Sequence, residues 1–117
     1  MKPKLSTLFL TATLVMATSP ANALTFSQTG HIIRTLSDSA NFAGGCMIAL
    51  NQSIGNGCKN NYVSLDCHAS MTETGRGKNN FASALLAASL NKQVTVFVDN
   101  NKKLNGYCLA TRIDIIF

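Results

Sequence analysis

The pattern of apolar and polar residues predicts a helix that leads directly into a strand. Residues 81–90 are nearly all strong helix formers or small apolar residues, and residues 93–98 alternate between apolar and polar side chains. We therefore expect one helix at about residues 78–91, with Asn79 and Asn80 as candidate caps at its start. This helix and the strand after it form the centre of the predicted fold.

The predicted helix has apolar residues on two sides. At about 100° per residue, one stripe carries an aromatic ring and three aliphatic side chains, whereas the opposite side carries two leucines. The stripe consists of Phe81, Ala84, Leu85 and Ala88, and the opposite side of Leu86 and Leu90. The stripe is expected to cover a sheet of its own chain. The other side needs a further element or another subunit, and so does Phe97, which points away from the valine face of its strand. The candidate oligomer interface is therefore Leu86, Leu90 and Phe97.

Four further stretches have the composition and alternation of strands, and the helix falls between the third and fourth strands of the resulting five. These stretches cover residues 24–36, 46–50, 62–67 and 107–117. Gly30 marks a candidate bulge in the first strand. Asn105-Gly106 is a strong turn signal within a hairpin loop that we place at residues 99–106.

The order β-β-β-α-β-β predicts a mainly β fold. It matches a five-stranded Greek-key barrel of the OB-fold type, with the helix closing one end. In that barrel the second and third strands form an antiparallel hairpin, whereas the third and fifth strands run parallel. Small α+β sheets with the same number of strands are the alternative. Because no linker, repeat or change in composition divides residues 24–117, we expect a single domain.

Residues 1–23 have the pattern of a secretory signal peptide. Lys2 and Lys4 precede an apolar run, and Ala21-Asn22-Ala23 places small residues at the expected cleavage site. That run is too short for a transmembrane helix and no later run reaches bilayer length, so we expect a secreted or periplasmic domain without membrane insertion. The formal net charge of +5 includes Lys2 and Lys4 of this leader. Without them the remaining chain is only mildly basic, which argues against a nucleic-acid partner.

The cysteines predict two disulfide bonds. All 4 lie in the part expected to be exported, and an even number in a small secreted domain favours disulfides. Three pairings are possible. The midpoint of Cys46 and Cys67 lies in the loop between the second and third strands, so hairpin register favours that bond. Cys58 and Cys108 lie near the starts of the parallel third and fifth strands and form the second predicted bond. The absence of a Cys-x-x-Cys pair disfavours a zinc site.

No combination of residues indicates catalysis. His31 and His68 are isolated, the acidic residues form no close pair, and the cysteines are assigned to disulfides. We therefore predict that the protein is not an enzyme and uses no cofactor or metal ion.

The predicted loops are rich in asparagine, whose amide offers donors and an acceptor to sugar hydroxyl groups. Asparagine also forms turns, which is the simpler explanation at any one position. OB barrels bind ligands on the face of the second and third strands and with the flanking loops, and the lysines of these loops would attract an acidic sugar. The candidate ligand-binding residues are Asn51, Asn56, Lys59, Asn60, Asn61, Tyr62, Asn100, Asn101, Lys102 and Lys103.

Aromatic residues that would stack on a sugar face are few. The chain has no Trp, which leaves Phe42, Tyr62 and Tyr107 for that role.

Several segments between residues 44 and 117 resemble a known family. These are Gly57-Cys58, Tyr62–Cys67, the helix, Val94–Asp99 and Asn105–Asp114. They are similar to small exported bacterial proteins related to the B subunit of subtilase cytotoxin and to other pertussis-like toxins. The resemblance implies an OB-fold, pentamers whose helices line a central pore, a toxin A subunit as partner, and recognition of sialylated glycans. None of the family's sugar-contacting residues is matched to a position in this chain.

Two hypotheses follow for the function. The first is an exported, disulfide-bonded binding module that forms a pentamer like a toxin B subunit and recognises glycans. The alternative is a monomeric periplasmic OB-fold protein that binds a cation or a protein partner. Self-association and glycan binding distinguish the two.

Overall fold

The computed structural model describes residues 11–13 and 25–117, which contain five strands and one α-helix. The elements are β1 (Thr25–Ser37), a 3₁₀ helix (Phe42–Gly44), β2 (Cys46–Leu50), β3 (Tyr62–Ser64), α1 (Arg76–Ser89), β4 (Gln93–Leu104) and β5 (Tyr107–Ile116). The predicted mainly β class and the order of the elements are confirmed. The predicted signal peptide, residues 1–23, lies outside the described residues except for 11–13.

The sheet closes into a ring. Its strand order is β1-β2-β3-β5-β4, and β4 pairs again with β1. These pairs are antiparallel except for β3 and β5, which run parallel and meet at Ser64 and Leu109. The prediction of an antiparallel second and third strand and a parallel third and fifth strand is therefore confirmed.

Alternate residues of the strands fill the interior of the ring. Val94, Val96 and Val98 of β4 are completely buried, together with side chains from β2 and β3. The helix packs through small residues: Ala84 and Ala87 are buried, and a Cβ atom on Gly77 would clash with the carbonyl oxygen of Leu65. Only glycine permits this close approach between the start of α1 and the chain just beyond β3.

The helix differs from its predicted form at its start and on one face. It begins at Arg76, after Gly75 with a φ of 88°, so Asn79 and Asn80 lie inside the helix and do not cap it. Gly75 is the left-handed residue that precedes the helix. The polar composition of the residues around it did not show whether they belong to the helix or to the loop before it. Leu85, which we assigned to the buried stripe, is 41% exposed because Ala84 and Ala87 face the core instead.

Two strands also differ from their predicted length. β4 continues past Val98 to Leu104, so the loop predicted at residues 99–106 shrinks to the turn at Asn105 and Gly106, whose φ values are 53° and 84°. Both values suit the tight hairpin turn that this dipeptide favours. Polar residues continue β4 because that part of the hairpin is largely exposed. The irregularity predicted at Gly30 lies between Ile32 and Arg34.

The third strand ends at Ser64 because of Asp66. This residue has a φ of 57°, which breaks the extended backbone before residue 67, the predicted end. The Asp66 side chain is 1% exposed, and its carboxylate accepts hydrogen bonds from the backbone N–H groups of residues 70–72. The carboxylate thus fixes the turns of the segment between β3 and α1.

Both predicted disulfide bonds are present, and their pairing is confirmed. Cys46 bonds to Cys67 with a Cα–Cα distance of 5.5 Å, and Cys58 bonds to Cys108 with a Cα–Cα distance of 5.4 Å. Two structural disulfides indicate an oxidising compartment. Within the described ranges, no helix is long and apolar enough to cross a membrane.

Candidate functional site

Three aromatic side chains from distant parts of the sequence meet on the outer side of the closed sheet. The ring centroid of Tyr107 lies 5.8 Å from that of Phe42 and 6.1 Å from that of Tyr62, with interplanar angles of 68° and 72°. Edge-to-face packing of this kind fixes the orientation of the rings. Phe42 remains 44% exposed, so the cluster presents an aromatic surface to the solvent.

Two cationic side chains join this aromatic cluster. Nη1 of Arg34 donates a hydrogen bond of 3.0 Å to the hydroxyl oxygen of Tyr62, and Nζ of Lys59 lies 5.0 Å from the ring centroid of Tyr107. Neither cation takes part in an ion pair with a described residue. We call Arg34, Phe42, Lys59, Tyr62 and Tyr107 the Tyr107 site.

The Tyr107 site borders a shallow cavity of about 200 Å³. Its floor includes Leu36 of β1 and Met47 of β2, which pair directly across the two strands. Arg34 is the charged residue among those that line this cavity, and Lys59 lies nearby over the Tyr107 ring, so the potential at the cavity is positive. An aromatic surface beside uncompensated positive charge suits a ligand with apolar C–H faces and an acidic group.

The strand register explains how Arg34 reaches Tyr62. Arg34 pairs with Ala49 across β1 and β2, and Ala49 pairs with Tyr62 across β2 and β3. Directly opposed residues point to the same side of a sheet, so the small Ala49 lies between two long side chains that join above it. Arg34 has the same parity as the inward Ile32, and only the irregularity between them turns Arg34 outward.

The structure brings the two predicted ligand-binding loops together. Nδ2 of Asn100 donates to the carbonyl oxygen of Asn56 at 2.9 Å, and Nζ of Lys103 donates to that of Gly57 at 3.0 Å. Lys59 and Tyr62 of these candidates belong to the Tyr107 site, whereas Lys102 lines a different cavity.

Several of the candidate asparagines stabilise turns. The amide of Asn61 donates to the carbonyl oxygen of Leu50, and the side-chain oxygen of Asn51 accepts from the N–H of His31. Asn56 and Asn60 have φ values of 53° and 55°, which asparagine tolerates better than most residues. Asn101 is exposed, and its N–H donates to the carboxylate of Asp99. These contacts match the simpler explanation that asparagine forms turns.

The candidate interface residues fall into two groups. Leu86 and Leu90 are each 50% exposed on the outer side of α1, as their position on the helix predicted. Phe97 has a partner in its own chain, since the guanidinium carbon of Arg112 lies 4.8 Å from its ring centroid. The two leucines are therefore the residues of the candidate interface that have no such partner among the contacts of the described residues.

The ring of His68 packs against the backbone. A Cβ atom on Gly45 would lie 2.6 Å from the ring of His68, so this ring packs closely against the glycine backbone. In the part of the chain that the structure covers, no group of three or more His, Cys, Asp or Glu side chains is arranged to hold a metal ion.

Four residues of the Tyr107 site are candidates from the sequence analysis, and the fifth is not. Phe42, Tyr62, Tyr107 and Lys59 are candidates from the sequence, whereas Arg34 is not, because its outward direction depends on an irregularity that the sequence placed at Gly30 and not beside Arg34. Comparison with protein-family models, with curated proteins and with solved structures finds no match. The site's own geometry therefore carries the functional argument.

Proposed function

We propose that the protein is an exported binding module of OB-fold type that recognises acidic glycans at the Tyr107 site. The observation that carries this proposal is the convergence of the Tyr107 ring, the Tyr62 hydroxyl group and the Arg34 guanidinium on one surface. Sialylated glycans, whose terminal sugar carries a carboxylate, are the ligand class that this combination favours.

Each group at the site has a role in binding such a sugar. The exposed aromatic surface packs against the C–H face of the sugar ring. The Arg34 guanidinium has a planar set of donors suited to a carboxylate, and Lys59 adds a second positive charge. The Tyr62 hydroxyl group both donates and accepts hydrogen bonds, so it suits sugar hydroxyl groups.

The strand arrangement supports the OB-fold assignment. The closed order β1-β2-β3-β5-β4, the parallel contact of β3 with β5, and the helix between β3 and β4 are the features expected of this fold. The Tyr107 site lies on the outer side of β1, β2 and β3, close to the face that OB barrels use for oligosaccharides.

The disulfides and the exposed leucines support export and assembly. Two disulfide bonds are stable outside the cytoplasm, which agrees with a secreted or periplasmic location. Leu86 and Leu90 leave an apolar strip on α1, and a pentamer of the toxin B-subunit kind would bury this strip beside its neighbours and hold a toxin A subunit. A ring of copies also raises apparent affinity for glycans on a surface.

The Tyr107→Ala variant should lose most glycan binding. Removing the central ring takes away the packing surface and also frees Phe42 and Tyr62 from their edge contacts. We expect the dissociation constant for sialylated glycans to rise at least about tenfold, as for other aromatic residues at the centre of a binding surface. A glycan array followed by titration calorimetry measures this change.

Two controls belong with that measurement. Tyr107→Phe keeps the ring and should bind nearly as well as the wild type. Phe117→Ala removes an aromatic residue that is 83% exposed at the end of the chain and should leave binding unchanged. Equal binding by Tyr107→Ala and the wild type, or no array signal from the wild type, would reject the proposed glycan function.

The Leu86→Glu variant should dissociate the assembly while leaving each subunit folded. Leu86 is half exposed within one chain, so a charge there is costly only when a second subunit covers it. Sedimentation velocity should give a lower mass for Leu86→Glu than for the wild type, with an unchanged circular dichroism spectrum. Ser53→Glu places the same charge on an exposed loop and should keep the wild-type mass. A wild-type protein that sediments as a monomer contradicts the pentamer and supports the monomeric periplasmic alternative.

A further inference from the structure

Both Asn-Gly dipeptides of the chain lie in exposed turns. They are Asn56-Gly57, in the loop between β2 and β3, and Asn105-Gly106, in the hairpin turn between β4 and β5. Each asparagine has a φ of 53°, and all of these residues are exposed to the solvent. The turns require residues that adopt the left-handed backbone, and this dipeptide supplies two of them in succession.

The structure places the two dipeptides side by side. The backbone N–H group of Lys59 donates to the carbonyl oxygen of Gly106 at 3.1 Å. The disulfide bond between Cys58 and Cys108 joins the chain just after one dipeptide to the chain just after the other. We call the two dipeptides together the paired turns.

A lysine side chain packs against the glycine of each dipeptide. Nζ of Lys103 donates to the carbonyl oxygen of Gly57 at 3.0 Å, and a Cβ atom on Gly106 would lie 3.5 Å from Cδ of Lys59. The ammonium group of Lys59 lies over the Tyr107 ring and belongs to the Tyr107 site. A negative charge on the paired turns would therefore lower the positive potential at that site.

An asparagine followed by glycine loses its side-chain amide without an enzyme. The backbone nitrogen of the glycine attacks Cγ of the asparagine, so that an N–Cγ bond forms and the Cγ–Nδ2 bond breaks. The amide proton of the glycine leaves with Nδ2 as ammonia, and a succinimide ring remains. Water then opens the ring at either carbonyl carbon and produces an aspartate or an isoaspartate. Glycine favours this reaction because it has no Cβ atom to obstruct the attack.

We propose that Asn56 and Asn105 are sites of spontaneous deamidation, and that each event adds a negative charge near Lys59 and weakens the binding of acidic ligands. The modification itself depends only on the paired turns, whereas its effect on binding rests on the proposed glycan function. Because water is the only co-reactant, the reaction continues after export. The affinity of the protein for an acidic glycan therefore falls with its age.

The surroundings of the two asparagines predict that Asn56 reacts first. Ring closure requires the asparagine backbone to rotate out of the turn, so the turn has to open locally. At Asn105 this opening disrupts the pairing of β4 with β5, which begins directly on both sides of the turn. The turn at Asn56 lies outside the strands and is held by hydrogen bonds from the side chains of Asn100 and Lys103. Opening therefore costs less free energy at Asn56 than at Asn105.

Peptide mapping by mass spectrometry of protein aged at constant temperature tests the modification. The folded protein should accumulate aspartate and isoaspartate at residue 56. Residue 105 should react at least about tenfold more slowly in the folded protein than in guanidinium chloride, because it reacts only while the hairpin is open. Asn60 is the matched control, since it is exposed and has a φ of 55° but precedes Asn61, so it should keep its amide. An unchanged Asn56 in the folded protein, or equal conversion of Asn60, contradicts the proposal.

Titration calorimetry with a sialylated trisaccharide tests the effect on binding. Asn56→Asp and Asn105→Asp carry the charge of the product and should each bind about threefold more weakly at low salt, with a smaller loss at high salt, because exposed charges are screened. Asn91→Asp places the same charge at the far end of α1 and should bind like the wild type. The double variant Asn56→Ser with Asn105→Ser cannot form a succinimide, so it should keep its affinity on ageing while the wild type loses affinity.

The outcomes separate the modification from the proposed function. A loss in Asn91→Asp as large as in Asn56→Asp shows a general effect of net charge and contradicts a local effect at the Tyr107 site. Wild-type affinity in both Asn56→Asp and Asn105→Asp also contradicts the effect on binding, and the peptide map then decides the modification alone. If fresh wild-type protein binds no sialylated glycan, the proposed function is wrong and the effect on binding fails with it, whereas conversion at residue 56 still supports the deamidation site.

Discussion

Asp66→Ala should lower the free energy of unfolding by about 3 kcal/mol, since a buried donor without a partner costs about 1 to 3 kcal/mol and the three backbone donors that this carboxylate accepts from are partly buried, which places each near the lower value. The backbone N–H groups of residues 70–72 all donate to it, and the residue is 1% exposed. Alanine also tolerates the left-handed backbone at this position less well than aspartate does. Urea denaturation monitored by circular dichroism measures the loss.

Three further variants separate the contributions at this position. Asp66→Gly relieves the left-handed backbone but still removes the carboxylate, so it should lose nearly as much stability as Asp66→Ala. Asp66→Asn keeps one acceptor oxygen and should fall between the wild type and alanine. Asp38→Ala removes an exposed carboxylate that accepts one backbone hydrogen bond, from Ala40, and should cost less than about 1 kcal/mol. Wild-type stability of Asp66→Gly would show that the carboxylate has no structural role.

Removal of the Cys58–Cys108 bond should destabilise the domain by about 4 kcal/mol, and removal of Cys46–Cys67 by about 3 kcal/mol. The difference follows from the chain between the bonded residues, 50 positions in the first case and 21 in the second, because a longer closed loop restricts the unfolded chain more. A loss of this size is a large fraction of the total stability of so small a domain.

Paired alanine variants test directly which of the two disulfide bonds contributes more to stability. Cys58→Ala with Cys108→Ala and Cys46→Ala with Cys67→Ala each remove one bond without leaving a free thiol. Urea midpoints at equal temperature give the two losses, and addition of a reductant to each variant gives the effect of losing both bonds. A larger loss in the Cys46 and Cys67 variant would mean that packing of the buried Cys46 and the partly buried Cys67 outweighs loop closure.

The fold was predictable where a local pattern determines it. The alternation of Val94, Val96 and Val98 fixed the inner face of β4, and the hairpin register of the second and third strands gave the correct bond between Cys46 and Cys67. The turn at Asn105 and Gly106 was also predictable, because few dipeptides adopt two successive left-handed residues.

The remaining features depend on contacts between distant residues. Asp66 has the alternation of a strand residue, but the three N–H groups that it binds determine its backbone conformation. Arg34 has the parity of a core position, and the irregularity in β1 reverses it. The grouping of Phe42, Tyr62 and Tyr107 required knowing that three separate segments meet on one surface, which composition could propose but not locate.

The two disulfide bonds interleave along the chain. Cys58 lies between Cys46 and Cys67, and Cys67 lies between Cys58 and Cys108. Oxidation in the order in which the thiols emerge during synthesis would first join Cys46 to Cys58, a bond that the finished molecule does not contain. Correct pairing therefore requires β2 and β3 to find their register before oxidation, or a thiolate to reopen the first bond by exchange. The yield of correctly bonded protein thus depends on the relative rates of strand pairing, oxidation and exchange.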